Sequence, residues 1–182
     1  MKKSLVLGAL FVYLFSLSLH AQAVSVQSLG PSSNVPIIDG LIQANEYAQK
    51  TLVSGMTFAI SLSADGKTLF CAIEAPTTGW VAVGLGSLRM NGAYMVLAYD
   101  SKDTQVVSEE TGRGHSHSAN AVKKLIKSKV HDNGSTTVLE FALPAEEYLA
   151  NNSLKILLAY GKKDDLKSLH AKHDKLELPI SK

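Results

Sequence analysis

Methionine and histidine are two residue types in this sequence whose side chains can bind a transition metal. Met90 lies in a turn between two apolar segments, and His170 lies in a polar segment much later in the chain. A thioether sulfur and an imidazole nitrogen can together fill both axial positions of a haem iron, or they can bind copper. The residue types alone therefore leave haem and copper open.

Histidine spacing adds a second possibility. His115 and His117 could face the same side of a strand and share a metal, although the Ser- and Gly-rich segment 111–120 is typical of a solvated loop. His173 follows His170 by three residues, but no Cys, Glu or third His stands at zinc spacing. The residues considered for copper are Met90, Met95, His115 and His117.

Catalytic patterns are missing from the sequence. It contains no Ser-centred elbow, HExxH motif, Walker loop or GxGxxG motif. Cys71 is the only cysteine, so neither an internal disulfide nor a CxxCH haem attachment nor a Cys-based zinc site can form. Its apolar neighbours predict a buried thiol. We therefore expect that the domain is not an enzyme.

Charge and hydropathy indicate where the protein acts. Lys2 and Lys3, the apolar residues 5–19 and the small residues 21–23 together predict a signal peptide over residues 1–23. The net charge of +2 equals the contribution of these two lysines, so the remaining chain has no basic field to hold nucleic acid. No later segment is long and apolar enough to span a membrane. These features predict a periplasmic or secreted protein without an integral membrane segment after processing.

The candidate residues must be positioned by strands. Residues 24–36 are rich in Ser, Gly, Pro and Asn and predict an irregular lead-in to one domain over residues 37–182. Alternating or apolar runs between turn residues predict strands at 57–62, 68–75, 80–85, 94–100, 104–108, 121–131, 135–142, 154–160 and 175–179. Asn133-Gly134 is a strong hairpin signal, and Ala64-Asp65-Gly66-Lys67 also has the residues of a hairpin turn. A short helix is predicted at 144–150. Many short strands with little helix predict an antiparallel β-sandwich.

Three segments of the sequence resemble a known family. They are IIDGLIQANEYAQK, APTTGWVAVGLGSLRMNGAYMVLAY and LLAYGKKDDLKSLHAKH, and in this order they resemble the DOMON domain. That domain is named for dopamine β-monooxygenase and also forms the cytochrome part of cellobiose dehydrogenase. The similarity spans residues 37–179. It implies an immunoglobulin-like β-sandwich with an added ligand pocket.

The resemblance also implies a haem site. In haem-binding members of the family, a Met after the Trp-bearing strand and a His after a late strand ligate a b-type haem. Carried onto this chain, these ligands are Met90 and His170, with His173 ranked second. A related group uses Lys, which keeps Lys167 and Lys172 as candidates. The residues expected to line the pocket are Trp80, Val83, Leu85, Leu88, Tyr94, Leu97 and His173.

The function that this resemblance implies is single-electron transfer to an unidentified redox partner protein, with haem b as the cofactor. Two protein ligands leave no open position for oxygen or substrate on the iron. The alternative for the same fold is a carbohydrate or small-molecule binding module, in which Trp80, Tyr94 and Tyr99 would provide stacking surfaces. Copper binding is the further alternative.

Overall fold

The structure of the chain is a computed structural model that describes residues 27–101, 104–149 and 151–181. The predicted signal peptide at 1–23 lies outside these residues. The elements are β1 (Pro31–Ser32), β2 (Gln49–Val53), β3 (Met56–Ser63), β4 (Thr68–Ala75), β5 (Val81–Leu85), β6 (Tyr94–Ser101), β7 (Thr104–Arg113), β8 (Ser116–Ala119), β9 (Lys127–Asp132), β10 (Thr137–Pro144), α1 (Glu146–Leu149), β11 (Ser153–Tyr160) and β12 (Lys172–Pro179). None of the helices in the described part of the chain has the length and hydropathy to cross a membrane.

Two sheets pack against each other. The first has the order β1-β3-β4-β10-β9, with β2 also paired to β3, and the second has the order β12-β11-β5-β6-β7-β8. The strands named here pair antiparallel except β1, which runs parallel to β3. Phe58 and Phe141 of the first sheet share one buried apolar cluster with Val83 and Ile156 of the second. The predicted all-β sandwich is confirmed.

The second sheet is apolar on both sides. Successive side chains of a strand point to opposite faces, so Val81, Val83 and Leu85 of β5 point into the core between the sheets, and Ala82 points away from it. The side turned away from the core, here called the outer face, carries its own buried cluster. Its members are Trp80, Ala82, Ala93, Met95 and Leu97.

Both hairpin predictions that rest on turn residues are confirmed. Asn133-Gly134 joins β9 to β10, and Gly134 has a φ of 89°, which favours glycine. Gly66, with a φ of 70°, lies in the turn between β3 and β4. These turn residues set the register locally, which is why the sequence was sufficient to predict them.

Two predictions in the polar part of the chain are wrong. The segment 111–120 is a hairpin rather than a loop, because β7 continues to Arg113 and β8 follows at Ser116. The strand predicted at 121–131 begins only at Lys127. The backbone N–H groups of Lys124 and Leu125 instead donate to the Glu109 carboxylate, at 2.5 and 3.0 Å, so they take no part in a ladder.

The segment before β2 is fastened to the first sheet by a buried carboxylate. Glu140 is fully buried, and its Oε2 accepts hydrogen bonds from the backbone N–H groups of Asp39, Gly40 and Leu41 at 3.0, 2.7 and 3.1 Å. Its Oε1 accepts the Tyr47 hydroxyl at 2.7 Å. Burial raises the pKa of Glu140, although these hydrogen bonds oppose the shift.

Candidate functional site

The outer face of the second sheet is built from small and apolar residues. Ala159 and Leu157 of β11 pair with Ala82 and Gly84 of β5. On the other side of β5, Ala82 and Gly84 pair with Leu97 and Met95 of β6. A Cβ at Gly84 would lie 3.2 Å from the Leu157 Cβ, so glycine lets these strands carry large side chains on either side of it. The result is a continuous apolar cluster on the outer side of the sheet.

Met90 lies against this surface. Its loop connects β5 to β6, and its half-buried side chain packs on the outer-face cluster. The loop crosses β7 at Gly112, where an added Cβ would lie 1.8 Å from the Met90 carbonyl oxygen. Two backbone hydrogen bonds fix the crossing, from Gly92 N to Gly112 O at 2.9 Å and from Gly112 N to Ala93 O at 3.1 Å. Glycine at position 112 therefore allows the close approach that positions Met90, and nothing in the local sequence pattern indicated it.

A second loop, residues 161–171, reaches the same face and carries His170. Gly161 N donates to Trp80 O at 2.8 Å, and the Trp80 indole Nε1 donates to the Ser168 hydroxyl at 2.9 Å. Leu166 of this loop packs on the outer-face cluster. At Gly161 a Cβ would lie 2.1 Å from Trp80 Nε1, so only glycine allows the indole to lie this close. The single tryptophan thus anchors the loop that carries the predicted histidine ligand.

His170 and His173 lie side by side. Their rings stack with centroids 4.4 Å apart and an interplanar angle of 23°. His173 is the second residue of β12 and the Cα partner of Ala159, so it lies on the outer-face side of that edge strand. Partial burial lowers the pKa of His170, and the charge of His173 lowers it further. Both effects favour the neutral imidazole, which is the form that binds metals.

The predicted lining residues divide between the two sides of the sheet. Trp80 and Leu97 belong to the outer-face cluster, and Leu88 is half-buried in the Met90 loop. Val83, Leu85 and Tyr94 point instead into the core between the sheets. Residues 80–85 are apolar without alternation, so the sequence did not reveal which of them share a side.

A carboxylate and a histidine border the outer face next to Met95. Met95 pairs with Glu110, and Gly112 pairs with His117, so Glu110 and His117 both lie on this side. Glu110 Oε2 is hydrogen-bonded to His117 Nδ1, and Oε1 accepts the Ser108 hydroxyl at 2.8 Å. Burial acts to raise the pKa of Glu110, but its hydrogen bonds to His117 and Ser108 outweigh burial and lower it. The sequence gave no sign of this pair because the hairpin was not predicted.

The residues considered for copper are only partly brought together. Met90, Met95 and His117 lie on the same side of the second sheet, whereas His115 is exposed in the turn between β7 and β8. Among the described residues, no group of three or more His, Cys, Asp or Glu is arranged to hold a metal ion. A copper site here would depend on thioether sulfur.

The aromatic residues considered for carbohydrate stacking are mostly inaccessible. Trp80 is 5% exposed, and Tyr94 is 8% exposed and points into the core. Tyr99 is half-buried beside the outer-face cluster. This arrangement leaves no open row of aromatic rings on these residues for a sugar to stack upon.

Comparison with known proteins gives a likeness of fold. No family model and no curated protein matches the sequence. The structure resembles the cytochrome b domain of pyranose dehydrogenase from Coprinopsis cinerea, with a TM-score of 0.56 and 10% identity over 71% of this chain and 80% of that one. It also resembles the cytochrome domain of cellobiose dehydrogenase from Myriococcum thermophilum, with a TM-score of 0.53 and 13% identity over 78% of this chain and 81% of that one.

These two likenesses define the class of fold. The chain has the fold seen in cytochrome domains of sugar dehydrogenases, and the predicted resemblance to the cytochrome domain of cellobiose dehydrogenase is confirmed at this level. At 10% and 13% identity the likeness concerns the fold alone.

Proposed function

We propose that the chain binds a b-type haem against the outer face of the second sheet, with Met90 and His170 as its axial ligands, and that it transfers single electrons. The observation that carries this proposal is the convergence of two loops on one apolar face. Met90 packs directly on the outer-face cluster, and the loop of His170 is held to it through Leu166 and Trp80. The likeness to cytochrome domains supports the same function.

The chemistry of these residues fits a b-type haem. A thioether and a neutral imidazole are an axial pair known from cytochromes, and an apolar face suits a macrocycle that no covalent link retains. When bound, haem b would supply one-electron exchange between ferric and ferrous iron. The protein would hold the iron through Met90 and His170, and Trp80, Leu97 and Ala82 would exclude water from the site. Val83, Leu85 and Tyr94 are not part of the pocket proposed here, because they face the core.

Met90 and Leu166 cover the outer face in this structure, and both are half-buried residues of loops. A porphyrin against this face would replace the contacts of these two side chains with its own. Because such a rearrangement would concern the side chains of two loop residues, the backbone hydrogen bonds of the sheet would stay intact.

The pyridine haemochrome assay tests the proposal on protein purified from a host with ample haem. The wild type should carry haem b, and both Met90→Leu and His170→Ala should lose the sharp reduced α band. His131→Ala is the matched control, since His131 is half-buried on β9 of the first sheet. Retention of the band in His173→Ala would favour His170 as the ligand. A colourless wild type, or unchanged spectra in both ligand variants, would contradict the proposal.

Copper binding is the second candidate, because Met90, Met95 and His117 share one side of the sheet and Glu110 fixes the His117 ring. Titration of haem-free protein with Cu(I) tests it. Binding that is lost in both Met95→Leu and His117→Ala, and kept in His170→Ala, would favour copper over haem.

We further propose that residues 1–23 direct export, as the basic and apolar pattern of this segment predicts. Mass spectrometry of the mature protein should give an N-terminus near Val24. A protein that retains Met1 when isolated from the natural source would contradict export by this route.

A further inference from the structure

The loop that carries His170 presents three exposed lysines and an exposed leucine. Lys162, Lys163 and Lys167 are exposed, and the ion pairs found among the described residues involve other groups. Leu169 lies in the same loop and is 88% exposed. Lys162, Lys163 and Leu169 line one surface depression of about 620 Å³. These four residues are called the lysine surface below.

The loop and the first residues of β12 together carry a net positive charge. Between Lys162 and Lys175 there are five lysines and three aspartates. The chain after residue 23 has no net charge, so the rest of the domain is net negative. Two of the three aspartates are hydrogen-bonded within the protein, since Asp165 accepts Lys167 N at 2.9 Å and Asp174 accepts the Ser54 hydroxyl.

We infer that the lysine surface is the docking site for an acidic electron-transfer protein, whose own surface surrounds an apolar centre with carboxylates. This inference rests on the proposed function, because haem ligation by His170 would bring the redox centre next to Leu169. Complementary charges steer two proteins together and orient them, and an exposed leucine within the charged rim offers the apolar contact at the centre.

A protein partner fits this surface better than an anionic membrane does. Asp164 and Asp165 lie among the lysines and would be repelled by anionic lipid headgroups. The loop is also not a helix with a continuous apolar face, which is the usual form of a membrane-surface element. A partner protein can place its own positive residues opposite the two aspartates, whereas a bilayer cannot.

Oxidised plastocyanin with an acidic surface is a suitable probe. In stopped-flow experiments, one electron should leave the reduced haem-loaded protein and reduce Cu(II) to Cu(I). The triple variant Lys162→Glu/Lys163→Glu/Lys167→Glu should slow this reaction at least tenfold at low ionic strength. At 1 M salt, where the Debye length is about 3 Å, the difference should fall below about twofold.

A matched control keeps the same net charge. Lys50, Lys67 and Lys127 are exposed on the first sheet and its turns, so Lys50→Glu/Lys67→Glu/Lys127→Glu reverses three charges away from the His170 loop. This control should stay within about twofold of the wild type. Equal slowing in both triple variants would overturn the inference, because it would show that total charge rather than the lysine surface governs encounter.

Binding measured without electron transfer separates this inference from the proposed function. Calorimetric titration with plastocyanin should detect weaker binding for the first triple variant than for the control, whether or not haem is present. A colourless protein that keeps this difference would end the haem proposal and leave the docking site standing. Equal binding by the two variants, or binding only to phosphatidylglycerol vesicles, would overturn the docking site.

Discussion

The hydrogen bond between Trp80 and Ser168 holds the His170 loop on the outer face, and Ser168→Ala tests it. The indole N–H can only donate, and Trp80 is 5% exposed, so removal of the hydroxyl leaves a buried donor without its acceptor. Such a loss costs about 1–3 kcal/mol. With a urea m-value of about 2 kcal/mol/M, the unfolding midpoint should fall by about 0.5–1.5 M.

Fluorescence is the natural assay because the chain contains one tryptophan. Ser168→Ala should shift the emission to longer wavelength in the folded state as water reaches the indole. Ser168→Thr keeps the hydroxyl and should restore most of the stability. If His170 binds haem, Ser168→Ala should also weaken haem binding about tenfold, which corresponds to about 1.4 kcal/mol.

Ser116→Ala is the matched control for this experiment. The Ser168 hydroxyl donates to the Asp165 carbonyl at 2.7 Å. The Ser116 hydroxyl likewise donates to the Arg113 carbonyl at 3.0 Å, but in the exposed turn between β7 and β8. We expect its midpoint to stay within about 0.2 M of the wild type, as is usual for exposed sites. Equal midpoints and equal emission spectra for the two variants would refute the argument that this hydrogen bond anchors the loop.

Three further predictions follow from the same contacts. Gly112→Ala should cost about 3 kcal/mol of unfolding free energy and weaken haem binding, because its Cβ would lie 1.8 Å from the Met90 carbonyl oxygen; thermal unfolding and haem titration measure both. The pKa of Glu110 is lowered from its ordinary 4.5, so the carboxylate stabilises the fold above pH 4.5, and this contribution is lost as the pH falls towards the lowered pKa. Glu110→Gln should therefore lose less stability than the wild type on acidification below pH 4.5. Urea unfolding at a series of pH values measures this difference. Glu140→Ala should cost at least about 3 kcal/mol, because three backbone N–H groups and the Tyr47 hydroxyl lose their acceptor, and hydrogen exchange at residues 39–41 should rise.

Each of these has its own control. Gly114→Ala should cost only about 1 kcal/mol of unfolding free energy, since no heavy atom lies within 4 Å of the added Cβ and the strain comes from a φ of 61° alone. An equal cost for Gly112→Ala would contradict the argument that its Cβ clashes with the Met90 loop. Glu109, whose pKa is also lowered, is present in both the wild type and Glu110→Gln, so it cannot cause a difference between them. If both proteins lose stability in parallel as the pH falls, Glu110 contributes nothing to the pH dependence. Glu140→Gln keeps one acceptor oxygen and should cost less unfolding free energy than Glu140→Ala. If hydrogen exchange at residues 39–41 stays slow in both variants, contacts other than those of Glu140 hold the segment.

The strands and their turns were largely predictable because their signals are local. Alternation in residues 57–62 and the turn residues Gly66 and Asn133-Gly134 each act within a few positions. Sequence reasoning missed β1, which lies within the segment 24–36 that was predicted to be irregular. It also missed β2 and β8, which are polar edge strands without such alternation. Their partners hold them in the sheet by backbone hydrogen bonds, which side-chain patterns do not report.

The candidate site was predictable only in its chemistry. The types and order of Met90, Trp80 and His170 are written in the sequence, and so is the likeness that pointed to them. Which side of β5 each residue occupies was not predictable, because residues 80–85 are apolar throughout and both sides of the second sheet are buried.

The sequence by itself determined an all-β domain with these turns and with a small set of possible metal ligands, because propensity, alternation and residue chemistry are properties of short segments. The tertiary structure alone decided that the Met90 loop and the His170 loop meet one apolar face, and that Glu110 pairs with His117. Those outcomes depend on strand order and on close backbone approaches at Gly112 and Gly161, which join parts of the chain far apart in sequence.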